Sequence, residues 1–227
     1  AGFALHNLAS LPHISIVGAC MTGTHGSGIK NGNLATSVSA IEFVSADGEI
    51  ITRTRKEHPD EFPGIVVSLG ALGIVTAITL DIVPRFEVRQ DAYLSMPFPV
   101  LFENFDAIQS SAYSISLWTD WGSEQLTQIW LKSLVDGEPP VIRDDLYGTP
   151  RSTIQMRPIS EIDAGVCTEQ LGIAGAWWDR LPHFRLEFTP SHGDEIQSEY
   201  FVPIERATEA FTALSELSEE IYPLLYI

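Results

Sequence analysis

The chain predicts an α+β fold, an antiparallel sheet with helices on one face, and three observations carry that reading. Alternating, β-branched runs at 38–45 and 50–54 flank Ala46-Asp47-Gly48-Glu49; Asp-Gly between apolar runs marks a hairpin, because a tight turn needs positive φ at its centre. A second pair of strand-like runs, Ser114–Trp121 and Leu126–Ser133, surrounds a turn containing Gly122, and an amphipathic helix follows Pro203. The patterning also changes register near Pro84-Arg85, which divides the chain into 1–84 and 85–227.

In order, residues 56–63 form a polar, Pro-bounded loop or short helix, and Ile65–Leu72 a short helix that Gly73 stops. Ile74–Val83 alternates, with Thr76, Ile78, Leu80 and Ile82 on one face, and reads as a strand closed by Pro84. Phe86–Leu94 is another strand, after which Pro97-Phe98-Pro99 opens a helix over Val100–Ser111. Residues 136–165 carry four prolines and little periodicity, which predicts a long irregular excursion. Phe184–Thr189 and Ile196–Val202 return to strand patterning. Pro203 suits a first helical position, and Ala207, Ala210, Phe211, Leu214, Leu217 and Ile221 fall three and four apart, as in a helix covering a sheet. Leu224-Leu225-Tyr226-Ile227 reads as the start of a strand, and the chain begins without Met; the expectation is a piece of a longer protein.

With 44% hydrophobic and 19% charged residues, the 227-residue chain has globular composition. Its net charge of −17 repels phosphate backbones and anionic lipid surfaces, so neither nucleic acid nor membrane is an expected partner. No apolar run reaches the ~20 residues of a membrane helix. Cys20 and Cys167 follow no metal spacing and read as free buried thiols of a reducing, cytoplasmic setting.

Chemistry concentrates in residues 9–34. Five glycines (Gly18, Gly23, Gly26, Gly28, Gly32) lie there among the hydroxyls of Ser10, Ser15, Thr22, Thr24, Ser27 and nearby Thr36. Bare main chain and hydroxyl donors in that density describe a wall lying against an anionic or heteroaromatic ligand. Generic signatures do not account for it. Gly18-x4-Gly23 is followed by Thr24-His25 rather than Lys-Ser/Thr, and Gly26-x-Gly28 has Asn31 where a dinucleotide fingerprint requires glycine. His6, His13 and His25 have no metal-ligand spacing, and no metal is expected. Gly28 and Gly32 read equally as turn glycines or ligand contacts, Ser27 as a turn hydroxyl, and Trp177-Trp178 as packing.

The string Leu-Ala-Ser-Leu-Pro-His-Ile-Ser-Ile-x-Gly-Ala-x-x-Thr-Gly-Thr-His-Gly-Ser-Gly over 8–28 resembles the flavin-binding domain of FAD-linked oxidases of the vanillyl-alcohol-oxidase type, in the branch of aldonolactone and alditol oxidases. Asn31–Ala35, Leu69–Thr76, Thr79-Leu80-Asp81 leading to Pro84, Phe184–Phe188 and Gln197–Tyr200 are similar to the same branch.

The resemblance implies that 1–84 is the second half of a two-subdomain FAD-binding domain and 85–227 part of an antiparallel-sheet substrate domain with covering helices. Ser15, Gly18, Thr22, Gly23, Thr24 and His25 would line the pyrophosphate and ribityl chain of FAD, and Ile74 would offer its backbone to the far end of the cofactor. Ser10 would hold a substrate hydroxyl at the reactive edge, and Ala9 would set how closely O2 approaches. The family's first Gly-rich loop, often carrying a flavin-linked histidine, would lie before Ala1, and its Glu-x-Arg pair after Ile227. The implied partners are a small polyol and O2, with hydrogen peroxide as product; 1–227 alone is expected to be inactive. Alternatives are an aldonolactone dehydrogenase that excludes O2, a non-catalytic binding module, and a serine hydrolase using Ser27 with His25.

Overall fold

The structure is a computed structural model that describes residues 2–135, 143–158, 162–188 and 198–224. Its first half is organised by a three-stranded antiparallel sheet. β1 (Phe3–Ala4) precedes a six-residue helix, α1 (Ile16–Met21), whose N-cap Ser15 accepts a hydrogen bond from the Gly18 amide. A 3₁₀ turn, Leu34–Ser37, leads into β2 (Val38–Val44), which pairs with β3 (Ile50–Thr54) across the expected hairpin. α2 (Phe62–Val66) begins three residues before the expected helix and stops at Val66, because Leu69 and Gly70 adopt left-handed φ values of 54° and 79°.

β4 (Ile74–Leu80) pairs with the other edge of β2, and here the expected face is corrected. Thr76 is the extra residue of a bulge: Phe43 faces Val75 while Glu42 faces Ala77. Val75, Ile78 and Leu80 therefore pack on the core of Ile41, Phe43, Phe62 and Val66, and Thr76 turns out to bond Glu42 Oε1 at 2.7 Å. Ile82 is exposed beyond the strand, and Pro84, expected to end it, belongs to β5 (Val83–Pro84), which pairs with β1.

The second half is built on β6 (Glu87–Pro97), longer than expected, followed by α3 (Phe98–Gln109), β7 (Ser114–Trp118) and β8 (Gln125–Leu134). β6 and β7 pair with opposite edges of β8, all antiparallel. α3 buries Phe98, Leu101, Phe105 and Ile108, spaced three and four apart, against Met96, Ile115, Leu126 and Ile129 on one face of this sheet. Both central strands are buried on both faces over most of their length, so something must cover the other side. That cover is irregular chain beyond a short hairpin, β9 (Asp145–Leu146) with β10 (Thr149–Pro150), and it brings Cys167 and Phe184 against Ala92 and Trp130. β11 (Gly175–Ala176) pairs with β6 ahead of α4 (Trp177–Arg180).

Further expectations are corrected. Phe184 makes a single bridge to Cys167 and the following residues turn, so 184–188 is no strand; 198–202 has no regular structure, and residues 189, 196 and 197 lie outside the described residues. The helix after Pro203 is broken into a 3₁₀ turn, α5 (Ala207–Ser215) and α6 (Ser218–Ile221), and Phe211 packs on Phe102 of α3 and on Trp121 rather than on a sheet. Trp178 is exposed, while the Trp177 ring lies tilted against Phe86, centroids 6.2 Å apart. Leu224 closes a 3₁₀ turn instead of opening a strand, and 225–227 lie outside the described residues.

Candidate functional site

Six of the nine expected site residues line one cavity of about 980 Å³: Ala9, Ser10, Thr22, Gly23, Thr24 and His25. Two loops build it, and glycine lets them meet. A Cβ on Gly26 would collide with the Leu8 carbonyl and lie 2.6 Å from Asn7 Oδ1, so only glycine lets the 7–10 segment pack on the 24–27 segment. Buried Asn7 closes the joint, accepting from the Leu8 amide at 2.9 Å and donating to the Ser27 carbonyl at 3.0 Å. Gly28, at φ 116°, abuts the Tyr113 carbonyl, and Gly32 abuts the Thr36 side chain. Both are packing glycines.

Around the cavity the Thr22 and Thr24 hydroxyls lie 3.1 Å apart, and Thr22 donates to the Gly18 carbonyl at 3.0 Å. His25 donates from Nδ1 to the Gly26 carbonyl, while its Nε2 lies 3.5 Å from Glu199 and its ring meets Phe201 edge-on. Both partners of the His25–Glu199 contact are over a third exposed, which makes it a weak tether. Leu11 and Ile14 add apolar surface, and Asn31 and Asn33 add amides. No Lys or Arg among the described residues lines this cavity. An anionic ligand there would be met by neutral donors.

Ser15 and Gly18 do not line the cavity but sit on α1, a helix unmarked in the Gly-rich reading; Ile74 opens β4 on the first sheet. Ser27 bonds Ser114 Oγ at 2.5 Å while His25 faces Gly26 and Glu199, so the hydrolase pair is not assembled.

Beneath Ser10 lies a buried polar network that sequence reasoning missed. The Ser10 carbonyl accepts from the amides of His183 at 2.8 Å and Phe184 at 3.3 Å. The His183 ring stacks on Trp130 with centroids 5.3 Å apart and meets Ser116 Oγ at 2.9 Å. Lys132 Nζ, 3.5 Å from His183 Nδ1, donates to the carbonyls of Leu181 and Pro182. Burial lowers the Lys132 ammonium to about 7, and burial with the neighbouring lysine holds His183 well below its ordinary value. A neutral His183 then accepts from Lys132 at Nδ1 and donates from Nε2 to Ser116. Cys167, buried as expected, is pushed up to about 11 by desolvation. The one sequence signal for this network was a lysine near the end of the strand run Leu126–Ser133.

No family model matches the chain. It is 45% identical over 224 residues, 99% of its length, to an alditol oxidase from Streptomyces sp.. It is 36% identical to a mouse L-gulonolactone oxidase over 118 residues and 33% identical to a Candida albicans D-arabinono-1,4-lactone oxidase over 115, about half of this chain in each case. The chain spans 52% of the alditol oxidase and 27% and 20% of the two lactone oxidases. Among solved structures, a cholesterol oxidase from Brevibacterium sterolicum aligns with TM-score 0.51 at 20% identity, covering 61% of this chain and 29% of that one, a likeness of fold. No helix among the described residues is long and apolar enough to cross a membrane.

Proposed function

From the premise that this chain is a homologue of an alditol oxidase along 99% of its length, we propose that it supplies one wall of the active site of an FAD-dependent oxidase of sugar alcohols. In this reading 1–84 is part of the flavin-binding domain and 85–227 part of the substrate domain. The observation that carries it is the gathering of Ala9, Ser10, Thr22, Gly23, Thr24 and His25 on one cavity.

The residues fit the cofactor. The cavity's volume, about 980 Å³, is within the range of small-molecule and cofactor sites. Of its lining groups, the Thr24 hydroxyl and the Asn33 amide nitrogen remain to meet a pyrophosphate or a ribityl chain, whereas the Thr22 hydroxyl, the Asn31 amide and the Gly23 N–H already donate to the carbonyls of Gly18, Ser27, Tyr113 and Cys20. Ser15, already the cap of α1, and Gly18 would act from the adjoining helix, and Ile74 from the first sheet. Bound FAD would supply the hydride acceptor for the carbinol C–H and the route by which O2 is reduced to hydrogen peroxide. The chain's own task is orientation. Ser10, whose hydroxyl has no partner among the described residues, holds the substrate hydroxyl, and the small side chain of Ala9 leaves room for O2 at the same edge.

A lactone substrate is the second reading, supported by similarity to two lactone oxidases across about half of the chain; the match across 99% favours the polyol. The test is turnover by the full-length protein with polyols and aldonolactones, counting peroxide per substrate oxidised. One peroxide per polyol, with lactones turned over at least tenfold less efficiently, is the expected result. Preference for lactones supports the second reading, and turnover without peroxide points to a dehydrogenase.

A further inference from the structure

Ser10 sits in a bend outside any helix or strand, yet a substrate-holding hydroxyl must be fixed to a fraction of an ångström. What fixes it is its carbonyl, held by the backbone amides of His183 and Phe184. Those amides belong to the turn 181–184, which is irregular too, so its own geometry must come from elsewhere.

We propose that Lys132 is a positioning residue for the Ala9–Ser10 edge, acting through the turn 181–184. Lys132 is 1% exposed toward the C-terminal end of β8, and its Nζ gathers the Leu181 and Pro182 carbonyls and faces His183 Nδ1. Thr168 helps from the other side: its hydroxyl donates to the Pro182 carbonyl at 2.6 Å and its amide to the His183 carbonyl at 2.9 Å. The His183 ring is fixed as well, between Trp130, Trp118 and Ser116. The turn is thus anchored to the rigid sheet and presents two amides to Ser10. A lysine buried this deeply carries a desolvation cost that an apolar residue would avoid. Its donors are what the carbonyls of the turn need, since a buried carbonyl without a partner is itself costly.

The role of Lys132 in turnover rests on the reading of Ser10 as the substrate-facing hydroxyl, so the experiment has an arm independent of it. In the full-length protein, Lys132→Met keeps the side chain's length and removes the donors. Amide exchange read by mass spectrometry should quicken at 181–184 and 8–11 and stay unchanged across 87–94 and 125–131. With flavin content unchanged, kcat/KM for the polyol should fall about tenfold or more, mostly through KM, and the same substitution on a Ser10→Ala background should add little. Thr168→Val, which removes one donor, should shift exchange and kcat/KM in the same direction by less, and it decides the matter if Lys132→Met does not fold. Unchanged exchange at 181–184, or a full loss of kcat/KM on the Ser10→Ala background, overturns the proposal. If Ser10→Ala alone leaves turnover intact, the reading of Ser10 fails, and the exchange data alone decide whether Lys132 anchors the turn.

Discussion

Three buried groups on the sheet face beneath Ser10 give the molecule a pH signature of its own. Lys132 lies near 7 when folded against 10.5 ordinarily, His183 lies well below 6.5, and Cys167 lies near 11 against 9.0. From pH 7 to 10.5 the unfolded chain keeps a Lys132 proton that the folded chain has released, so stability rises with pH. From 9 to 11 the unfolded chain loses a Cys167 proton that the folded chain keeps, which opposes that rise. Below 6.5 the unfolded chain takes up a His183 proton that the folded chain refuses, so stability falls with acid. Denaturant midpoints should therefore climb from pH 7 to 9 and level above 9, and the climb should vanish in Lys132→Met. A climb that survives the substitution would show that Lys132 is not its source. These groups were illegible in the sequence for a physical reason. Their environment comes from the 164–184 chain folding over β8, and neither local pattern nor spacing encodes that contact.

Elements were legible where a local rule decides them. Asp47-Gly48 set the β2–β3 hairpin, and Pro97-Phe98-Pro99 marked the start of α3 beside a stripe spaced three and four apart. Where tertiary context decides, the pattern misled. The bulge at Thr76 moved the inward face of β4 to Val75, and an alternating stretch at 184–188 became a turn because the Phe184 and Arg185 amides donate to the Ser10 and Val166 carbonyls. The glycine-rich block hid α1 for a similar reason. Several of its glycines serve packing, not ligand contact, and this can be measured. Gly26→Ala places a methyl against the Leu8 carbonyl and Asn7, backbone and buried amide that cannot yield cheaply, and should cost about 2–4 kcal/mol. Gly64→Ala, inside α2 with open space around it, should stabilise by about 0.5–1 kcal/mol. Equal effects in chemical denaturation would contradict the packing role of Gly26.

At the scale of the whole molecule, two antiparallel sheets are joined through the 5–34 segment, and the joint is the candidate site. Tyr113 donates from its hydroxyl to the His6 carbonyl, Asn31 reaches the Tyr113 carbonyl at 3.0 Å, and Ser27 meets Ser114. Ser10 on the His183–Phe184 amides completes the seam. The lining of this joint was half legible: Thr22 to His25 and Ala9-Ser10 announce themselves as a string, whereas Glu199, Phe201 and the Lys132 anchor arrive from far along the chain. On the proposed function, this string faces a flavin on one side and a polyol on the other. That function is tested most directly by adding polyol without oxygen to the purified full-length protein and following the flavin's visible absorption band. The expected result is a bound flavin whose band bleaches, about tenfold more slowly in Ser10→Ala at limiting polyol. A protein that neither carries nor takes up flavin, or a band that bleaches equally fast without the Ser10 hydroxyl, would contradict it.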